Sequence, residues 1–339
     1  MSLGSKRTAL AGVLALAAAW GMCLVLLVQQ SEAQRPDETS GRETKPGKVE
    51  KGAPKVEWLD TKDGVRLHVE YRPAMTSKKA AKDGKGSDIV PVLLLHMAKG
   101  SGRDWGPLAD SLQRAGHFVI VPDLRGHGKS TQVKRGGRTA RIDQATMRKE
   151  DYERMVTLDL ERIKKFIIEK NNNSELNLRK LCVVGAEMGA AVAINWAAMD
   201  WSWPPLATGP QGQDVNGLVL ITPIWGYKGM SIVNATRQAG VQRAISTLVI
   251  VGAQDSGNLN DARRLHQTLA KHREDYSSAP REEWQEKQSI FFQTPKTSLE
   301  GSKMLGERSL GVERAILDFI RMRLVNQEAA WALRKGALD

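Results

Sequence analysis

The segment 185–189 reads Gly-Ala-Glu-Met-Gly, which has the spacing of a nucleophile elbow, Gly-x-Ser-x-Gly. Such an elbow turns sharply from a strand into a helix and presents its central side chain to a substrate. In this chain the central residue is Glu187, so the position offers a carboxylate and no hydroxyl. The segment therefore predicts a strand, a sharp turn and a helix from which the usual serine nucleophile is missing.

Three further polar segments follow apolar runs, as the elbow does. Segment 96–100 reads His-Met-Ala-Lys-Gly, segment 123–130 reads Asp-Leu-Arg-Gly-His-Gly-Lys-Ser, and segment 251–255 reads Val-Gly-Ala-Gln-Asp. Short apolar runs of this kind are typical of buried parallel strands, whose carboxyl ends meet at one edge of a sheet. We therefore expect these segments to lie near the elbow.

In their order and spacing these motifs resemble the α/β-hydrolase superfamily, in particular its compact esterase, monoacylglycerol-lipase and serine-aminopeptidase-like branches. The resemblance extends over about residues 56–324, and segment 123–130 is its most specific part. It implies an α/β-hydrolase fold with a mostly parallel central sheet and helices on both faces. The connection 224–246 is too short for a large lid domain, so we expect a minimal lid.

The resemblance also implies where a catalytic triad would stand. Glu187 occupies the nucleophile position, and Asp255 occupies the position of the acid. The family's histidine follows the last strand, but the last histidine of this chain is His272, and Glu300 stands in the histidine slot. Loss of both the nucleophile and the base excludes ordinary serine-hydrolase catalysis, because these residues act as one unit.

The family's oxyanion hole uses backbone N–H groups, which survive a change of side chain. The resemblance assigns these donors to Met188 and to Met97 or Ala98. Side chains near the same sheet edge are candidates for lining a pocket, namely His96, Trp105 and Trp225.

Three functions remain open from these residues. The first is a degenerate hydrolase that binds a small ligand of unknown identity, or a protein partner, without turnover. The second is an active hydrolase that uses the carboxylate of Glu187 as nucleophile, as dehalogenases and epoxide hydrolases of the superfamily use aspartate. The third is a fold retained as a structural or interaction module.

The three acidic positions raise a question of charge. Glu187, Asp255 and Glu300 cannot all stay ionised side by side without a partner. A bound proton, an Arg or Lys side chain, or a hard cation such as Ca²⁺ would resolve the conflict. No Cys/His group has the spacing of zinc ligands, and we predict no cofactor and no dedicated metal site.

The N-terminus predicts an exported protein. Lys6 and Arg7 precede an uncharged apolar run from Thr8 to Val28. The run is longer than the ~7–15 residues of a typical signal core and close to the ~20 that span a bilayer, so a cleaved signal peptide and a membrane anchor both remain open. Either places the body outside the cytoplasm, periplasmic, extracellular or membrane-anchored, where nucleic acid is not an expected partner.

The net charge of +12 favours anionic partners, although solvated loops could carry it.

We divide the chain into a signal peptide or N-terminal membrane anchor (1–33), a disordered linker (34–55), the α/β-hydrolase domain (56–326) and a C-terminal tail (327–339). Apolar runs predict strands at 56–59, 65–71, 90–96, 118–122, 181–184, 218–222, 247–251 and 289–293. Helical spacing predicts helices at 108–115, 152–170, 190–199, 259–271 and 312–324, and residues 130–149 are expected to form a long basic connection.

Overall fold

The computed structural model describes residues 52–75, 88–207 and 209–334 of the 339-residue chain. The predicted signal peptide or membrane anchor (1–33) and most of the predicted linker (34–55) lie outside the described residues. Among the residues that are described, none belongs to a helix long and apolar enough to cross a membrane.

A ten-stranded sheet forms the centre of the described domain. The strands, in chain order, are β1 Lys55–Asp60, β2 Val65–Arg72, β3 Pro91–Leu95, β4 Phe118–Pro122, β5 Gln132–Arg135, β6 Arg138–Arg141, β7 Leu181–Ala186, β8 Val215–Ile221, β11 Ser246–Ile250 and β12 Ile290–Gln293, while β9 Gly226–Tyr227 and β10 Met230–Ser231 form a separate ribbon.

The order across the sheet is β12-β11-β8-β7-β3-β4-β2-β5-β6, and β1 pairs with β2. The strands from β12 to β4 in this order are parallel, whereas β1, β2, β5 and β6 pair antiparallel with their neighbours. The predicted, mostly parallel central sheet is confirmed, and its N-terminal strands pair antiparallel.

Helices cover both faces of the sheet, as predicted. Their bounds are α1 Gly106–Arg114, α2 Lys149–Arg154, α3 Leu160–Asn172, α4 Met188–Ser202, α5 Ser256–Ala270, α6 Arg281–Lys287 and α7 Val312–Ile320. On β3, Leu93 and Leu95 pack with the core that contains α3, α4 and α5, whereas Val92 and Leu94 pack with the core that contains α1 and α7. Successive side chains of a strand point to opposite faces, so one apolar run serves both cores.

The basic connection predicted over residues 130–149 contains an unexpected hairpin. β5 and β6 pair over Gln132–Arg135 and Arg138–Arg141, and Val65 of β2 pairs with Val133, which joins the hairpin to the sheet. Gly136 and Gly137 make the turn with φ values of 54° and 77°, a conformation that favours glycine. The prediction of a plain connection is therefore wrong in this part.

Segment 123–130 ties several elements together. The Asp123 carboxylate accepts hydrogen bonds from the backbone N–H groups of Gly102 (2.8 Å) and Lys129 (2.9 Å). The buried Arg125 guanidinium contacts Asp159 at 2.5 Å and Asp63 at 2.8 Å. Asp159 lies in a π-helical turn, Met155–Asp159, between α2 and α3. This motif thus fixes the loops next to the elbow through buried charge and hydrogen bonds.

The segment that ends the described chain lies against α3 and the loop that follows it. The Nδ2 groups of Asn171 and Asn177 donate to the carbonyl groups of Ala332 (2.9 Å) and Ala329 (2.7 Å). Arg334 donates to the Asp214 carboxylate at 2.8 Å.

Asp214 belongs to a buried group of four charges. Lys164 Nζ lies 2.6 Å from the Asp200 carboxylate and 3.1 Å from that of Asp214, which Arg334 also contacts. Two cations and two carboxylates balance each other inside the protein, and Arg334 supplies one of the cations. The terminal segment therefore completes the interior rather than only covering it.

Candidate active site

The predicted elbow is present in the backbone. β7 ends at Ala186, α4 begins at Met188, and Glu187 between them has φ 51° and ψ −111°. Such a conformation costs about 1–3 kcal/mol for a residue with a side chain and persists only where the surroundings enforce it. The Glu187 N–H donates to the Ile221 carbonyl at 2.9 Å, and its own carbonyl accepts from Ala190 at 3.0 Å.

Two glycines allow the strand and the helix to meet at this turn. A Cβ atom on Gly189 would lie 2.2 Å from the Leu95 carbonyl oxygen, and one on Gly185 would lie 2.3 Å from the Gly189 carbonyl oxygen. Both contacts are with backbone, which cannot move aside as a side chain can. The glycines of the motif are therefore required by close packing of α4 against β3 and β7.

The loop after β3 is held by His96. The His96 Nε2 atom accepts a hydrogen bond from the Leu124 N–H at 3.0 Å, so Nδ1 carries the proton that bonds the Met97 carbonyl at 2.9 Å. Burial lowers the pKa of His96 to about 4, which keeps the ring neutral. Both ring nitrogens are thus used inside the protein, and His96 positions the loop that carries Ala98.

An open cavity of about 800 Å³ lies above the elbow. Glu187 and Glu300 both line it, together with the loop residues Met97 and Ala98. The other lining residues are Lys99, Gly100, Asp104, Pro107, Tyr227, Ser302, Lys303 and Gly306. The structure therefore brings two of the three acidic positions to one cavity.

The electrostatics of Glu187 reflect this setting. Burial raises the pKa of its carboxyl group above the usual value, and the nearby charge of Glu300 raises it further. The nearby backbone of Ala98 and the charges of Lys303 and Lys99 act in the opposite direction. The lysines are the cationic groups that partly balance the carboxylates, and the Ala98 N–H is one of the predicted oxyanion donors.

Asp255 has another role in this structure. It precedes α5 as the N-cap residue, and its carboxylate accepts hydrogen bonds from Asn258 N–H at 3.1 Å and Asn258 Nδ2 at 2.9 Å. It is 7% exposed and does not line the cavity. Its loop still contacts the one that precedes Glu300, because the Gln254 N–H donates to the Thr297 carbonyl at 3.0 Å.

The proposed pocket residues lie elsewhere. Trp105 is fully buried in the core with α1 and α7. Trp225 is partly buried, donates to the Asp261 carbonyl at 3.1 Å, and carries the Arg264 guanidinium over its ring. His96 is fully buried, and none of the three lines the cavity above Glu187. The fact that these residues follow strands does not determine the directions in which their side chains point.

Tyr227 was missed by the sequence reasoning. It lies on the β9–β10 ribbon and lines the cavity, and its ring meets that of Tyr152 edge to face at 5.1 Å. Burial and the charge of Glu187 raise the pKa of Tyr227 above its usual value, so the phenol stays protonated. Lys99 and Lys303 were missed as well. Lys99 directly follows Ala98, and Lys303 lies three residues after Glu300.

No imidazole lines this cavity. All six histidines lie within the described residues, and the cavity contains none of them. In the described part of the chain, no group of three or more His, Cys, Asp and Glu side chains could hold a metal ion. The arrangement supplies three carboxyl groups (Asp104, Glu187 and Glu300), two ammonium groups and a phenol, but no neutral base of the histidine type.

The raised pKa of Glu187 leads us to a testable prediction about the stability of the protein. A carboxyl group whose pKa is raised by folding stabilises the protein below its ordinary pKa, and that contribution is lost as the pH rises through the folded-state value. We expect Glu187→Gln to raise the melting temperature at pH 8 and to lose this advantage near pH 4, as measured by thermal unfolding. Glu169→Gln, at an exposed position of α3, is the control and should show no such trend. A pH-independent effect of Glu187→Gln would contradict the prediction.

Comparisons with known proteins agree on the fold. Residues 90–293 match the model of a family described by its alpha/beta hydrolase fold. Among solved structures, a Pyrococcus furiosus esterase, PF2001, is 16% identical, with a TM-score of 0.54 over 87% of this chain and 99% of its own. DcsB, solved in complex with its substrate analogue, is 13% identical, with a TM-score of 0.52 over 80% of this chain and 99% of its own. A search of curated protein sequences finds no significant match.

Proposed function

This chain belongs to the α/β-hydrolase fold family, and on that premise we propose that it is a degenerate hydrolase, which binds a small ligand above Glu187 without turning it over. The observation that carries the proposal is the place of the Glu187 carboxylate. It stands at the nucleophile position, next to the Ala98 backbone, one of the predicted oxyanion donors, and lines the cavity. The protein's own acid thus stands beside a group that would otherwise stabilise the oxygen of a reacting ester.

The missing base supports the same proposal. Turnover through an acyl or alkyl intermediate needs a group that activates water for the second step. No histidine lines the cavity; the acids that share it with Glu187 are Glu300 and Asp104, and Asp255 caps α5. A carboxylate in place of histidine is a weak base at neutral pH.

The cavity itself supports binding. Its volume of about 800 Å³ lies within the ~300–1,000 Å³ range of small-molecule sites. Lys99 and Lys303 stand exposed among its lining residues, and Met97 and Pro107 add apolar surface. This combination favours a small ligand with an apolar body and a carbonyl or acidic group. The pattern of Lys6, Arg7 and residues 8–28 supports a location outside the cytoplasm.

The wild-type protein is expected to show no turnover of short-chain nitrophenyl esters, aminoacyl anilides or epoxides above the buffer rate. The assay compares the purified wild type with Glu187→Ala at equal concentrations. Turnover that Glu187→Ala abolishes would contradict the proposal and favour the second hypothesis, in which the glutamate is a nucleophile. Turnover that survives the substitution would place any reaction at another site.

Binding can be tested with the same esters as probes. Saturation-transfer NMR should detect contact between a short-chain ester and the wild-type protein. Gly306→Phe should remove the signal, because Gly306 lines the cavity and has open space where a side chain would begin. Gly306→Ala is the matched control and should retain it. A signal that Gly306→Phe leaves unchanged would show binding at a different place.

A further inference from the structure

The β5–β6 hairpin carries an unusual concentration of positive charge. Every residue from Lys134 to Arg141 is exposed, and the hairpin contains four cations and no acid between positions 132 and 142. The cations are Lys134, Arg135, Arg138 and Arg141. Within the described parts of the chain, no side chain of this set has an ion pair or a side-chain hydrogen bond. The hairpin is therefore a surface of uncompensated charge.

The pairing of the strands makes this charge costly. Arg135 lies directly opposite Arg138 across the hairpin, next to the turn. Like charges placed directly opposite each other destabilise a pair of strands, whereas opposite charges stabilise it. Residues that destabilise their local structure, as Arg135 and Arg138 do, are expected at surfaces that serve a function. An anionic partner would turn the repulsion into attraction.

The shape of the hairpin also suits a flat partner. Gly136 and Gly137 at its tip have open space where side chains would begin. Only Val133 of the hairpin is buried, and its contact with the core fixes the base while the tip remains accessible. The register places Arg135 and Arg138 on one face of the hairpin and Lys134 and Arg141 on the other. The exposed tip can therefore meet a surface with long cationic side chains on both of its sides.

The predicted N-terminal segment identifies the kind of surface. The sequence of residues 8–28 is compatible with a membrane anchor, which would keep the protein at a bilayer and raise its effective concentration there. Basic surfaces are attracted to anionic lipid head groups by their charge.

We propose that the β5–β6 hairpin docks on the surface of an anionic lipid bilayer. The phosphate groups of the lipids bind the Arg and Lys side chains, and the Arg135–Arg138 pair forms the centre of the contact. This surface lies outside the cavity above Glu187, so the proposal does not rest on the proposed function.

The test measures amide hydrogen exchange of residues 132–141 in the full-length chain mixed with lipid vesicles. Vesicles containing phosphatidylglycerol should slow exchange in the hairpin, whereas pure phosphatidylcholine should not. A Lys or Arg near an anionic surface contributes about fivefold to binding, so R135Q/R138Q should lower the ratio of docked to undocked hairpin about thirtyfold. Salt at 1 M should abolish the slowing, because it shortens the screening length to about 3 Å.

The control variant is R263Q/K271Q, which removes the same charge from exposed positions on and just after α5, a helix that packs on β12 at the other edge of the sheet. It should behave like the wild type. Equal slowing by neutral vesicles, or slowing that R135Q/R138Q leaves intact, would overturn the proposal. Slowing by soluble RNA or an acidic polysaccharide but not by anionic vesicles would overturn the assignment to lipid.

Discussion

A Glu187→Ser, Glu300→His double variant is expected to hydrolyse short-chain nitrophenyl esters about 100-fold faster than the wild-type chain. The backbone elbow at position 187 is already formed, and removal of the carboxylate leaves the Ala98 N–H available to an ester oxygen. A histidine at position 300 would line the same cavity as the new serine. General-base catalysis contributes ~10²–10⁴-fold, and we expect the lower end of this range because the site has not been refined for the substrate.

The acid of the restored triad would be Asp255. Its carboxylate accepts three hydrogen bonds from Asn258, and since two carboxylate oxygens offer about four acceptor sites, one remains for an imidazole N–H. The loop that carries it is already bonded to the loop before Glu300. Each single variant should stay near the wild-type rate, and adding Asp255→Asn to the double variant should reduce the gain. A folded but inactive double variant would mean that the assigned positions do not form a triad.

Gly189→Ala is expected to have the largest effect on stability, a loss of about 3 kcal/mol in the free energy of unfolding, at the upper end for overpacking. The added methyl group would begin 2.2 Å from the Leu95 carbonyl oxygen and 2.6 Å from that of His96. Relief requires α4 to move away from β3, which would disturb the apolar cores and the elbow together. Overpacking against backbone is costly because no rotamer change removes it.

Chemical denaturation of the two proteins would measure this loss. The matched control is Gly306→Ala, which adds the same methyl group where no atom lies within 4 Å. The control should change the unfolding free energy by less than about 0.5 kcal/mol. Similar stabilities for Gly189→Ala and the control would show that α4 and β3 are not packed as closely as described.

Much of the sheet could be read from the sequence. The run at 118–122 agrees with β4 Phe118–Pro122, because a parallel central strand must be apolar on both faces. The run at 65–71 agrees with β2 Val65–Arg72 to within a residue, because apolar residues alternate with polar ones in this antiparallel strand. The order of the motifs also placed Glu187, Asp255 and Glu300 after the strands that the structure shows as β7, β11 and β12. Glu187 and Glu300 share a cavity because topology brings strand ends together, whatever side chains they carry.

The parts of the site that were not predicted depend on the directions in which side chains point, which the order of residues in the sequence does not give. His96, at the end of β3, turns inward to bond Leu124, and Asp255 turns back to cap its own helix. The β5–β6 hairpin was missed because only Val133 in it is buried, so it lacks the apolar alternation of a strand. The Gly136-Gly137 pair was the available signal, since two glycines between short strands favour a tight hairpin turn.

The terminal segment has a consequence for the order of events during synthesis. Lys164, Asp200 and Asp214 are all made long before Arg334, whose guanidinium completes their charge balance. While the ribosome still holds residue 334, two buried carboxylates share one ammonium group, and the carbonyls of Ala329 and Ala332 have not yet reached Asn177 and Asn171. The charge balance around Lys164 and the contacts of Asn171 and Asn177 are therefore completed only once residues 329–334 have been made and released.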